Sequence, residues 1–218
     1  MTGDRPEPPP PGWRRGPWSS VPSVALDFEA TGLDFARDTI ISFGTVPIAE
    51  GRIDVGGSVY QLVDPVDVTM DPRAITIHGL RPMDLHGAPS LEAARAALCE
   101  ALRGRYLVTW FAEVEAAFLA KLFGGGSKAW LQRSVDVRRL VAALEGGKAG
   151  PLTLEACARR YGVPVASPHH ALDDALVTAQ LFLVITSKLA ERGLRSIKDL
   201  QAADAPRSPT LVRPRGPI

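Results

Sequence analysis

Apolar and polar positions change their spacing part-way along this chain. Val21 to Phe28 reads as an apolar strand, and after a loop through Asp34 and Asp38 two further runs, Thr39 to Ile48 and Ile53 to Val63, are rich in branched residues. Glu50-Gly51-Arg52 between them has the character of a hairpin turn, so three antiparallel strands are expected. Pro65 and Pro72 break that pattern, and Arg73 to Leu80 is expected to form a short segment ending in a turn. From Ser90 the period becomes helical: Leu91, Ala94, Leu98 and Leu102 share one face behind a serine N-cap. Tyr106 to Trp110 is a short strand, and Ala112 to Leu122 returns to helical spacing before the glycines at 124–126. Ser134-Val135-Asp136-Val137 leads into a helix through Leu140 and Leu144, and Thr153 caps another that carries Leu154, Cys157 and Tyr161. The last helix runs from about Ala171 to Arg192 with Gly193 as its stop, on the order of 30 Å at 1.5 Å per residue. A hairpin meander followed by strand–helix units predicts an α/β layer fold with a mixed sheet.

Three segments follow from this pattern. Residues 1–20, with Pro6, Pro8 to Pro11 and Trp13-Arg14-Arg15, lack a periodic apolar face and read as a flexible proline-rich arm, with Trp18 tacking onto the domain. Residues 21–195 form the domain, and 196–218 read as a flexible tail. With 218 residues and 45% hydrophobic content the chain can bury one core. No run reaches the roughly 18 apolar residues of a spanning helix. Cys99 and Cys157 fall inside apolar helical patterns and are expected as buried thiols, which fits a reducing cytoplasm. A formal charge of +1 argues against a broad basic surface, so nucleic-acid contact would be local. Arg138, Arg139, Arg159 and Arg160 are candidate phosphate contacts, against the commoner reading of solvated helix arginines.

The candidate chemistry begins at Asp27 and Glu29. They lie two apart on a strand and emerge on one side, while Phe28 points into a core. Two close carboxylates fit either a solvent-exposed strand end or a divalent cation. His169-His170-Ala171-Leu172-Asp173-Asp174 supplies the rest: histidines in a loop ahead of a helix whose first turn carries acids. Magnesium prefers oxygen ligands, so a histidine there is better suited to take a proton from water than to bind metal. Spacing does not choose between His169 and His170.

These residues resemble the DnaQ-like 3′-to-5′ exonucleases of the DEDDh class, which have an RNase H-like fold. The match consists of Asp27-Phe28-Glu29-Ala30-Thr31-Gly32, Ile77-His78-Gly79-Leu80, and His169 to Ala175, and spans roughly residues 21–190. The resemblance selects His169 and Asp174. It implies two Mg2+ or Mn2+ ions, with Asp27 bridging them, Glu29 and Asp174 completing the site of the attacking water, and His169 as general base. It also implies a single-stranded nucleic-acid 3′ end beside Ala30, Thr31, Gly32, His78 and Leu80, and a polymerase or other replication or repair protein as partner. The middle motif departs from the family pattern. Trp110-Phe111 stand where the family has His-Asn, and Glu115 stands where it has the aspartate that often holds the second ion through water. A catalytically weakened end-binding relative, or a hydrolase of very short oligonucleotides, is the alternative expectation.

Overall fold

A computed structural model describes residues 5–66, 68–147 and 152–203. Residues 1–4 of the expected arm and 204–218 of the expected tail lie outside the described residues. The strands are β1 (Ser23–Ala30), β2 (Ile40–Ala49), β3 (Arg52–Ile53), β4 (Val59–Leu62), β5 (Tyr106–Thr109) and β6 (Ser134–Asp136). The helices are α1 (Pro72–His78), α2 (Pro82–Leu85), α3 (Leu91–Leu102), α4 (Ala112–Phe123), α5 (Gly126–Leu131), α6 (Val137–Leu144), α7 (Leu154–Tyr161), α8 (Ala171–Glu191) and α9 (Ile197–Ala203). One mixed sheet runs in the order β3-β2-β1-β5-β6, with β4 also paired to β2. β1 is antiparallel to β2 and parallel to β5, and β5 is parallel to β6.

Apolar layers cover both faces of this sheet. Ala25 and Val46 point toward α6, α7 and α8, where Val141, Cys157, Phe182 and Ile185 close one core. Leu26, Phe28 and Phe43 point the other way, onto Leu98, Phe118, Leu119 and Trp130 of α3, α4 and α5. Sheets covered on both faces bury nearly all of a parallel strand, and β5 is buried at all its positions. No helix among the described residues is long and apolar enough to cross a membrane.

Local chemistry sets the boundaries. The β2–β3 hairpin turns through Glu50 and Gly51, both at positive φ (52° and 67°), as a two-residue type I′ turn requires. The expected strand from Ile53 to Val63 is broken after Ile53, because the Asp54 side chain accepts the Gly57 amide and folds residues 55–57 into a single helical turn. The segment from Arg73 to Leu80 is the helix α1, started by an Asp71 cap with Pro72 in its first turn and stopped by Gly79 at φ 74°. Ser90 and Thr153 cap α3 and α7, as their positions predict.

The proline-rich segment makes specific contacts from Arg5 onward. Arg133 donates to the Pro6 carbonyl, Gly104 N–H to Glu7, and Trp18 packs edge-on against Phe182 at 5.6 Å. At the other end, residues assigned by composition to a tail form α9, which buries Ile197 and Leu200. From that helix Gln201 donates its side-chain amide to the Gln132 and Ser134 carbonyls, both at 3.0 Å, along the outer edge of β6.

Candidate active site

Alternation along β1 puts Asp27 and Glu29 on the α8 side of the sheet. Two local features then set what they face. In the antiparallel register Asp27 is opposite Gly44 and Glu29 opposite Ser42, and between Glu29 and Ala30 the pairing skips Ile41. Such a bulge twists the strand and re-aims the residues beside it. Gly44 lies directly under the start of α8. A Cβ there would collide with the carbonyl of Ala171 and with Leu172 Cα, so only glycine lets the helix come down onto β2 opposite Asp27.

That close approach brings in the third acid. Asp174, in the first turn of α8, is 7% exposed and its Oδ2 accepts the His169 amide at 3.0 Å. His169 holds φ 60°, a left-handed value for a residue with a side chain, and its ring is exposed at the edge of the cluster. Ligand atoms of Glu29, His169 and Asp174 all lie within 4.8 Å of one another. His170, the alternative by spacing, turns away: its ring stacks on Tyr60 of β4 at 4.2 Å, and its Nδ1 is 3.5 Å from Asp173. His169 in turn has Glu155 of α7 at 3.8 Å from its Nε2.

The fourth acid arrives from the opposite layer. Glu115, in the first turn of α4, is 5% exposed. Its charge is the largest of the carboxylate charges acting on Asp27. The start of α4 is fixed by Asp136, at the end of β6, whose two oxygens accept the amides of Ala112 (3.0 Å) and Arg139 (2.8 Å). The cluster is electrostatically frustrated. Burial first, then Glu115, Glu29 and Asp174, raise the Asp27 carboxyl well above the usual carboxylate range. Burial, with Asp136 and Glu113 adding to it, does the same to Glu115. Burial and the Asp174 charge push Glu29 up to about 8, and burial pushes Asp174 to about 6.

The remaining expected positions divide. Thr31 is fully buried: its hydroxyl donates to Asp38 (2.9 Å) and accepts the Thr39 amide (3.1 Å), while its main chain pairs with Thr39 and Asp71. Gly32 sits under the same Asp38 carboxylate, where a Cβ would lie 2.5 Å from Oδ2. Ala30 ends β1. His78 ends α1, accepts the Leu80 amide on Nδ1 (3.0 Å), and has its pKa lowered by burial and by His169, so it belongs to the same neighbourhood. Leu80 packs on the small cluster of Ile41, Met70 and Leu85. Gly44, Tyr60 and Asp136 were not singled out from sequence. For Asp136 a signal existed, a carboxylate at a strand-to-helix junction; for Gly44 and Tyr60 the role depends on sheet register.

A cation fits this donor set. Glu115 Oε2 and Asp174 Oδ1 are buried without a hydrogen-bond partner, and four carboxylates are held against their own repulsion. The consequence for stability has a definite sign. Acids whose folded pKa is raised stabilise the fold fully below their unfolded values near 4, and that contribution is lost as pH rises through the folded values, about 6 for Asp174 and about 8 for Glu29. The Tm of chelator-treated protein is therefore expected to fall by several degrees between pH 5 and 8.5, and Mn2+ to restore it with a shift that grows with pH. Differential scanning fluorimetry across that range checks this. A Mn2+ shift that is constant or shrinks with pH would contradict it.

The description "Exonuclease" is carried by a family model that matches residues 24–182, a span containing all of these acids and His169. The chain belongs to the DnaQ-like exonuclease family. It is 29% identical over 182 residues to the PolC-type DNA polymerase III of Thermotoga petrophila, covering 82% of this chain and 13% of that protein. It is 27% identical over 169 residues to the DNA polymerase III subunit epsilon of Aquifex aeolicus, covering 76% and 81%. In fold it is similar to Escherichia coli exonuclease I, solved in complex with a dA16 oligonucleotide, with TM-score 0.67 and 16% identity over 79% of this chain and 42% of that one. The mixed sheet flanked by helices is the RNase H-like architecture of that family.

Proposed function

We propose that the chain is a metal-dependent 3′-to-5′ exonuclease acting on single-stranded nucleic-acid ends. The observation that carries this reading is that Glu29, His169 and Asp174 bring ligand atoms within 4.8 Å of one another, with Asp27 and Glu115 near enough for their charges to act on that group. Asp27, Glu29, Glu115 and Asp174 would hold two Mg2+ or Mn2+ ions, which when bound lower the pKa of water and neutralise charge at the phosphate. His169 would accept the proton of the attacking water. The hydrogen bond that its main-chain N–H donates to Asp174 and its left-handed backbone fix it at the cluster, and its exposed ring can pass the proton to solvent. Glu155 of α7 lies 3.8 Å from Nε2. The main chain at Ala30, with His78 and Leu80, would lie beside the terminal nucleotide, whereas Thr31 and Gly32, buried and with the Thr31 hydroxyl and main chain already paired, would shape the turn behind it. The two bacterial relatives support a polymerase as partner.

The test is hydrolysis of a 5′-labelled single-stranded oligonucleotide. With Mg2+ or Mn2+ the label is expected to pass through a ladder of progressively shorter products, and a chelator to stop it. Immediate release of labelled mononucleotide would reverse the polarity, and undiminished cleavage in chelator would exclude the mechanism. Glu115→Ala is expected to lower the rate about tenfold or more and Glu115→Asp to retain most of it, since the shorter acid still presents an oxygen donor at that point.

A further inference from the structure

Beyond the acids, the same edge of the sheet carries an arrangement they do not use. In sheets with parallel strands, ligands bind outside the strands' carboxyl ends. Asp27 and Glu29 lie near that end of β1, Trp110-Phe111 directly follow β5, and Arg138 lies two residues past β6. The guanidinium of Arg138 sits over the ring of Phe111 at 4.2 Å from the centroid. Both side chains are half-buried, and Arg138 Nε is fully covered without a hydrogen-bond partner. Its neighbour Arg139 is engaged by Glu113 and Asp136. Among the described residues no hydrogen bond or ion pair is found for Arg138, although Glu113, Glu115 and Asp136 surround the start of α4 and α6.

A cation held over an aromatic ring is pre-oriented at little entropic cost. Its two terminal amines, unlike the covered Nε, are left for an incoming anion, and the ring–guanidinium pair is a surface to which a base can add. Single-stranded nucleic acid offers both, since bases stack on aromatic rings and on guanidinium planes while phosphates pair with arginine. We propose that Phe111 and Arg138 form a nucleotide subsite that grips the single strand next to the carboxylate cluster, with Arg138 on a backbone phosphate and its stacked plane under the adjoining base. This rests on the exonuclease reading for its orientation, but its binding function stands separately. At a net charge of +1 the general electrostatic attraction to a strand is small, so one positioned guanidinium is expected to account for a measurable share of strand affinity.

The experiment measures two quantities in wild type, Arg138→Gln and Phe111→Leu. The first is binding of fluorescein-labelled oligothymidylate with Ca2+ present, by anisotropy over a range of KCl. The second is turnover of that oligonucleotide and of bis(p-nitrophenyl) phosphate, a diester without base or strand, with Mn2+. Arg138→Gln is expected to weaken oligonucleotide binding about tenfold and to reduce the slope of log K against log salt by about 0.7, the value of one single-strand phosphate contact. Phe111→Leu is expected to weaken binding with an unchanged slope. In both variants the loss of kcat/KM on the oligonucleotide should exceed the loss on the small diester by at least tenfold, mostly through KM. Binding within twofold of wild type, an unchanged salt slope for Arg138→Gln, or equal losses on both substrates would overturn the subsite. If wild type binds the strand but hydrolyses neither substrate, the exonuclease reading fails while the subsite is still decided by affinity and slope. If wild type fails to bind the strand, the subsite is overturned.

Discussion

Asp27→Asn is expected to remove hydrolysis, by on the order of a thousandfold or more, and to make the metal-free protein more stable. Both effects come from one feature. The Asp27 carboxyl is buried and meets the charges of Glu115, Glu29 and Asp174, so three repulsions converge on it. Asparagine keeps its shape and removes its charge, which relieves repulsion in the metal-free fold. Relief equal to a single pKa unit is about 1.4 kcal/mol, and for a chain of this size that raises Tm by roughly 3–6 °C. With Mn2+ the order reverses, because the wild type gains the cation's binding energy and the variant loses a ligand. Thermal melts at pH 8 with chelator and with Mn2+, beside the oligonucleotide assay, check both halves. A variant destabilised in chelator would show that the acids are not held against their own repulsion.

Gly44→Ala should be nearly as damaging, although residue 44 contributes no chemical group. The added Cβ meets the Ala171 carbonyl and Leu172 Cα, both backbone, so α8 must lift off β2. Overpacking of this kind costs about 1–3 kcal/mol. Because Asp174, and with it the hydrogen bond it accepts from the His169 N–H, rides on the first turn of α8, a shift of about 1 Å at that point is expected to lower the rate by around a hundredfold. Gly12→Ala provides the comparison, since nothing lies within 4 Å of a Cβ there and its stability should stay within about 0.5 kcal/mol of wild type. Loss of activity in Gly44→Ala with an unchanged Mn2+ affinity would place the damage elsewhere than in the acid cluster.

Much of this was legible in the sequence because the signals were local. The apolar strand to Phe28, the caps at Ser90 and Thr153, the long last helix and the family motifs at Asp27 and His169 each depend on residues within a few positions. The choice between His169 and His170 was not readable from spacing, because it is made by φ at His169 and by a Tyr60 ring brought from another strand. Gly44 looks like an ordinary strand glycine until the register sets it opposite Asp27 and beneath α8. The short segment from Arg73 to Leu80 ends in a turn as expected, but its helical type was not assigned, because the Asp71-Pro72 cap follows a proline that ends the strand pattern. The branched run from Ile53 to Val63 had strand propensity throughout, but one Asp54 side chain outcompeted the ladder locally.

The edge of β6 has a consequence for how this molecule behaves among its own copies. An exposed border strand presents a row of free carbonyls and amides, and another chain can dock there and extend the sheet. Here the carbonyl of Ser134, at the start of β6, and that of Gln132, just before it, are already occupied by the Gln201 side-chain amide. A single amide thus mimics the missing neighbouring strand for the length of one residue pair, and this border of the sheet is closed to growth while both carbonyls keep their partners.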